Sequence, residues 1–278
     1  MDFRRKLREL MNKLGYDLHR LPYPHVELHF WRPDDGSINF GDFLSPIIVD
    51  QCLRTHGFTM WDEAPCDARL LALGSILQSA FDGDVVWGSG LNLRSGKDDE
   101  RFAKVTRLDI RALRGPRTQE VMRRRGVSVP DIFGDPALLL PRLFPGRFQR
   151  RSLRAWIFVP NLHDIKFVDQ AAKNVVSPLL GSWNRNVEAI LEADLVLSSS
   201  LHGLVVAEAY GIPARYVRLS EAEGAFKYHD YYEGTGRFGI EFASSIVEGL
   251  EMGGAQPLQF DSKPLMNAFP VDLWRGKT

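Results

Sequence analysis

Three apolar runs in this chain each stop at a cluster of small residues, and that design restricts the fold more than any other feature of the sequence. Leu70-Leu71-Ala72-Leu73 ends in Gly74-Ser75, Val85-Val86-Trp87 ends in Gly88-Ser89-Gly90, and Leu195-Val196-Leu197 ends in Ser198-Ser199-Ser200. Short, continuous apolar runs fit strands buried on both faces, and their alternation with helical patterns predicts a parallel α/β sheet. Further strands are expected at 26–31, 156–160 and 174–176, and helices at 44–53, 116–125 and 187–192. An Arg- and Pro-rich stretch, 142–154, reads as a linker. The expected architecture is therefore α/β, with two Rossmann-like domains (1–147 and 148–278) facing across a cleft. After Ala214 the pattern weakens: residues 222–239 predict a loop or lid, and the tail is free to pack back on the first domain.

Ligands of such sheets sit beyond the carboxyl ends of the strands. Those ends are 39–42, 74–75, 88–90, 134–136 and the turn at 198–200. The last is the most informative. It leads into an apolar helix opened by His202 and stopped at Gly211, followed by Ile212-Pro213. Helix N-termini carry unpaired N–H groups and partial positive charge, so they receive anions. An imidazole beside an anion site is a candidate proton donor, although a histidine there also serves simply to cap or pack.

Composition excludes several classes. Formal net charge is zero, which favours no nucleic-acid partner. Arginines are nonetheless dense over 101–125 and 142–154. Two cysteines, Cys52 and Cys66, make no metal or disulfide framework and suit a reducing cytoplasm. No apolar stretch is long enough to span a bilayer. Residues 2–14 place Phe3, Leu7, Leu10, Met11 and Leu14 on one helical stripe, with Arg and Lys filling the other side. This fits either a helix packed on its own domain or an interfacial helix on an anionic membrane.

Four separated segments together resemble the polysaccharide pyruvyl transferase family: Asn39-Phe40-Gly41-Asp42; Val86-Trp87-Gly88-Ser89-Gly90; Arg114-Gly115-Pro116-Arg117-Thr118 with Gly134-Asp135-Pro136-Ala137; and Ser198 to His202 with Gly211-Ile212-Pro213. The resemblance implies a GT-B-like fold. It implies phosphoenolpyruvate as donor, bound on the second domain, and a lipid-linked oligosaccharide as acceptor, bound on the first. The setting it implies is cytoplasmic, with contact between residues 1–20 and the inner membrane face as one option. Carried over residue by residue, it places Arg114 on the donor's carboxylate or phosphate and His202, after Leu201, in acid/base or donor-binding work. Asn39 and Asp42 fall near the acceptor cleft. Some members have Arg where this chain has Ser200, so donor charge must be met elsewhere, by Arg117, Lys227 or Arg215.

The chemistry implied needs cations and N–H donors for a phosphate and a carboxylate, and no metal or other cofactor. Arg114 and Arg117, the turn Ser198, Ser199 and Ser200, and the helix start Leu201 and Gly203 form the expected donor site. His202 is the expected group titrating near neutrality, with Asp42 assisting at the acceptor hydroxyl. Asn39, Gly88, Gly90 and Asp135 are expected to wall the cleft, although Asn39, Asp42 and Asp135 also suit turns and caps. Tyr228, Tyr231, Tyr232 and Trp183 are candidates for stacking on sugar rings or for core packing. The run from Glu208 to Pro213 also resembles the donor loop of glycosyltransferases, where an acid contacts a nucleotide ribose. That leaves a nucleotide-sugar enzyme, or a non-catalytic assembly subunit, as the alternatives.

Overall fold

The computed structural model describes residues 21–33, 36–93, 102–179 and 181–275. The N-terminal amphipathic pattern at 2–14 lies outside them. Two all-parallel sheets form the frame. The first holds β1 (Val26–His29), β2 (Ala68–Leu71), β3 (Val85–Trp87) and β4 (Asp109–Ala112) in the order 1-2-3-4. The second holds β5 (Arg154–Val159), β6 (Ala193–Ser198) and β7 (Ala214–Tyr216) in the order 5-6-7. Every expected strand core is present except 174–176, which makes a single bridge from Val175 to Phe158.

Helices cross between the strands. Helix α1 (Phe40–Thr55) begins four residues before the apolar pattern does, because the Asn39 side chain accepts from the Gly41 N–H and caps it. Helix α2 (Pro116–Arg124) has Pro at its first position and Arg123 and Arg124 in its last turn, both favourable placements. Helix α3 (Leu140–Leu143) is a single turn, and α4 (Trp183–Leu191) precedes β6. Helix α5 (Leu201–Ala209) follows the serine turn and is buried along nearly its whole length, which its apolar sequence requires.

The segment 222–239 corrects the sequence reading. It is not a loop: residues 226–234 form α6 (Phe226–Gly234), and Tyr228, Tyr231 and Tyr232 are buried. Gly and charge concealed the helix because its charged residues, Lys227 and Asp230, also point inward. Helices α7 (Ile246–Met252), α8 (Lys263–Asn267) and α9 (Asp272–Arg275) complete the chain. The tail lies against the first sheet. Trp87 donates its indole N–H to the Leu265 carbonyl at 2.8 Å, and Arg111 pairs with both carboxylate oxygens of Asp272. Among the described residues no helix is long and apolar enough to cross a membrane.

One apolar cluster runs through both sheets, taking in Leu44, Trp87, Phe148, Ile157, Val205 and Tyr216. The stretch expected as a linker is therefore packed: Phe148 is buried, and the Arg147 guanidinium lies 4.7 Å from the Trp183 ring. A second tie is ionic. Arg114, just beyond β4, meets Asp230 of α6 at 3.0 Å with both side chains fully buried. Asp230 also accepts from the Thr118 N–H and hydroxyl. The approach needs a glycine: a Cβ on Gly115 would stand 1.7 Å from the Asp230 carbonyl oxygen. Breaking a buried pair strands the remaining charge. Asp230→Ala is expected to cost about 3–5 kcal/mol of stability, whereas Arg117→Ala, at a partly exposed pair, costs less than about 1 kcal/mol. Urea denaturation of the two variants checks the contrast.

Candidate functional site

The loops leaving β1, β2, β3, β5, β6 and β7 at their carboxyl ends line a single cavity of about 470 Å³. Ser75 comes from the β2 loop and Asn92 from the β3 loop; Asn161 and His163 come from the β5 loop. Ser200, Leu201 and His202 come from the start of α5, Glu223 from the approach to α6 and Lys227 from its first turn, and Asn39 and Asp42 from the start of α1. The position that open parallel sheets prescribe for ligands is thus occupied jointly by both sheets. Trp31 stands at the mouth with 44% of its surface exposed, while Asp42 and His202 retain only 8% and 7%.

The deep end is a set of buried ionisable groups. Asn39 donates its amide to Asp42 at 2.8 Å. Burial nevertheless dominates and raises the Asp42 carboxyl to about 7, against the weaker opposing pull of Lys227 and Asn39. The His202 ring lies against α1, so close to Gly41 that a Cβ there would be 2.1 Å from Nδ1. Its Nε2 stands 3.7 Å from Asp135 Oδ2, and neither atom has a hydrogen-bond partner among the described residues. Burial, then the charges of Lys227 and Arg114, lower the imidazole to about 3. Burial also raises Asp135 to about 6, partly offset by the N–H of Ala137 and by Arg114. The expectation for His202 is therefore corrected: the imidazole is neutral at neutral pH, and Asp42 is the carboxyl that titrates there.

Lys227 was one of three cations expected to compensate for Ser200, and it is the one of the three that lines the cavity. Its ammonium is 2.9 Å from Glu223, and burial lowers its pKa against that pairing. Arg215 is spent on main-chain carbonyls, those of Gly253, Glu241 and Gly254 among them. Arg117 makes a bidentate pair with Glu233 away from the cavity. Arg114 is fully buried and does not line the cavity either. Its guanidinium is consumed by Asp230, the Leu91 carbonyl and the Ser75 hydroxyl, so it acts on the cavity indirectly, by fixing Ser75 2.5 Å away and through its charge beside His202.

Other expected residues frame the site from behind. The Ser198 hydroxyl donates to the Val159 and Ser200 carbonyls, and Ser199 Oγ accepts from the Asn161 N–H. These two serines tie β5 to β6 instead of facing a ligand. Gly203 packs on Ser198 and Val159, Gly88 on Pro136, and Gly90 on the Arg114 guanidinium. Tyr228 stacks on Tyr216 at 3.6 Å and donates to the Ser199 carbonyl, so the three tyrosines are packing residues. Trp183 packs with Phe144 and Phe148 outside the cavity. Glu208 is buried and receives Arg237 bidentately together with the Tyr231 hydroxyl. Sequence reading missed Trp31, Asn161 and Glu223. Asn161 and Glu223 carry no motif, and Trp31 ends the run 26–31 that reads as a buried strand, although β1 stops at His29.

Comparison with known proteins places these features in context. Residues 68–221 match the family model described as polysaccharide pyruvyl transferase, a little over half of the chain. The succinoglycan biosynthesis protein ExoV of Rhizobium meliloti is 26% identical over 218 residues, covering 75% of this chain and 64% of that protein. The chain thus spans slightly less than two thirds of that relative's length. An uncharacterised protein of Acanthamoeba polyphaga mimivirus is 25% identical over 235 residues, 78% of this chain and 75% of its own. A functionally uncharacterised Klebsiella pneumoniae protein of known crystal structure aligns with a TM-score of 0.45 and 13% identity, covering 84% of this chain and 94% of its own.

The two central groups give opposite pH dependences. Asp42 titrates higher in the folded chain than in the unfolded one, where a carboxyl sits near about 4. Between those values the folded state binds the extra proton, so this contribution to stability falls as pH rises. His202 is depressed, so its contribution is present above about 6.5 and is lost as pH falls toward about 3. Asp42→Asn should therefore gain on the wild type as pH is raised from about 4 to about 8, by up to about 4 kcal/mol. Urea midpoints across that range test it; a stability difference that does not change with pH would contradict it.

Proposed function

The chain belongs to the polysaccharide pyruvyl transferase family, and on that premise we propose that it moves a pyruvyl group from phosphoenolpyruvate onto two hydroxyls of one sugar in a lipid-linked exopolysaccharide repeat unit, forming a pyruvate ketal. The similarity to a succinoglycan biosynthesis protein supports the exopolysaccharide setting. The observation that carries the reading is the cavity itself. It joins a cation, Lys227, a helix N-terminus at Leu201 and a carboxyl that titrates near neutrality, Asp42.

In this reading the donor's anionic groups meet Lys227, the N–H groups opening α5 and the Ser75 hydroxyl. Asp42 in its acid form protonates the methylene carbon of the enol. A sugar hydroxyl attacks the central carbon, and its proton passes to the Asp42 carboxylate just formed. A second hydroxyl of the same sugar closes the ketal as the C–O bond to phosphate breaks, and its proton leaves with the phosphate. A carboxyl near neutrality serves both halves of that exchange. His202 enters neutral. A bound dianion offsets the two cations that depress it, so the imidazole gains basicity only when donor is present. A GT-B-like arrangement of two Rossmann-like halves, with the acceptor on the first sheet's side, belongs to the same proposal.

A nucleotide-sugar reading needs Glu208 to face a ribose, and that carboxylate is committed to Arg237 and Tyr231. Phosphoenolpyruvate should raise the melting temperature and nucleoside diphosphates should not. Lys227→Gln should remove most of the shift, and Asp42→Asn should lower kcat about 100-fold or more with little change in the donor KM. Stabilisation by nucleotide alone would sink the reading.

A lipid-linked acceptor also gives residues 1–20 a task, holding the enzyme at the inner membrane face through their basic amphipathic pattern. Flotation with anionic liposomes should recover the full chain and lose a form lacking those residues; equal recovery rejects the idea.

A further inference from the structure

We propose that Trp31 is the stacking platform of the acceptor subsite, taking one face of a pyranose ring at the mouth of the cavity; the identification of that ring as the acceptor rests on the pyruvyl-transfer reading. The cavity is divided by chemistry. Its deep end holds Asp42, His202, Lys227 and Glu223, all buried, and suits a small anion. The same cavity is also lined by the exposed Trp31 and by two partly exposed neutral amides, Gln78 and Asn92. A sugar needs that second combination: an apolar C–H face against an aromatic ring and amides at its hydroxyl edge.

The neighbours of Trp31 show that its exposure is not a packing default. Phe30 meets Phe43 of α1 edge-on at 6.4 Å, and the Arg32 guanidinium caps the Phe30 ring at 4.3 Å. Both flanking side chains are thus used in local packing. Trp31 has no ring or cation partner among the described residues, and it remains 44% exposed while lining the cavity. A large exposed indole beside a pocket marks a binding surface more often than an isolated surface residue does. Its position after β1 puts it on the same carboxyl-end side of the sheet as Asp42, and both residues line the one cavity. Both amides are held in place: Gln78 donates to the Ser75 carbonyl and accepts from the Asn92 backbone N–H, and the Asn92 side chain donates to Glu223.

Saturation-transfer NMR with the methyl glycosides of glucose, galactose and mannose tests the platform directly. The wild type should saturate the ring protons of at least one glycoside. Trp31→Leu, which keeps bulk without a ring, should weaken that binding about 10-fold or more, and Trp31→Phe should weaken it less. The melting-temperature shift with phosphoenolpyruvate should be the same in all three proteins, which also shows that the variants are folded. No saturation of any glycoside by the wild type, or equal affinity in Trp31→Leu, overturns the proposal. The two readings fail separately. A wild type that binds glycosides through Trp31 yet transfers no pyruvyl group refutes the transferase reading and leaves the platform standing. A wild type that transfers, with Trp31→Leu binding glycosides unchanged, refutes the platform alone.

Discussion

The buried pair of Arg114 and Asp230 is the contact on which the site depends, because it joins the end of β4 to a helix that follows β7. Desolvating two charges is unfavourable unless their remaining hydrogen-bond capacity is met. Here it is met: Thr118 supplies Asp230 with two donors, and Ser75 and Leu91 take the other faces of the guanidinium. Helix α6 is consequently held against α2, and Lys227, three residues before Asp230, is carried to the cavity floor. The same guanidinium orients the Ser75 hydroxyl on the cavity wall. An arginine that does not itself line the cavity thereby sets the position of a cation and a donor that do.

Crowding at the floor then sorts the ionisable groups. Asp42, Asp135, His202 and Lys227 are all buried within one neighbourhood, and burial penalises the charged form of each. Carboxyls move up, and the imidazole and ammonium move down. The outcome reverses the assignment that residue types alone suggest. A histidine is the usual group for neutral pH, yet here burial, reinforced by two nearby cations, leaves it uncharged while an aspartate titrates near neutrality. Within the same group of buried side chains, His202 Nε2 and Asp135 Oδ2 stand 3.7 Å apart, and neither has a hydrogen-bond partner among the described residues.

Strand positions, the serine turn and the helix that His202 begins were legible in the sequence because each depends on local pattern. Apolar runs with small-residue stops need no tertiary information to be read as buried parallel strands. The cavity membership of Asn39, Asp42, Ser200, Leu201 and His202 was legible for the same reason, since all lie at strand ends or helix starts. What failed to show was anything decided by a distant partner. Helix α6 reads as a loop until Asp230 is known to meet Arg114 and Tyr231 to meet Glu208. Arg114 and Arg117 look alike in sequence, and only the fold makes one fully buried and the other a partly exposed partner of Glu233. Ser198 and Ser199 look like ligand donors until β5 is placed beside them.

The substitution of Ser200 for a cation fits this arrangement. A basic side chain at the N-cap of α5 would add a third positive charge beside Lys227 and Arg114, which already depress His202. With a small residue there, the first turn of α5 stays open to the cavity and positive character comes from the helix terminus and from Lys227, which approaches from α6. Lys227 is paired with Glu223 at 2.9 Å, and Glu223 in turn lies within 3.4 Å of both Asn92 and His163. One carboxylate thus links the ammonium to two further side chains that line the same cavity.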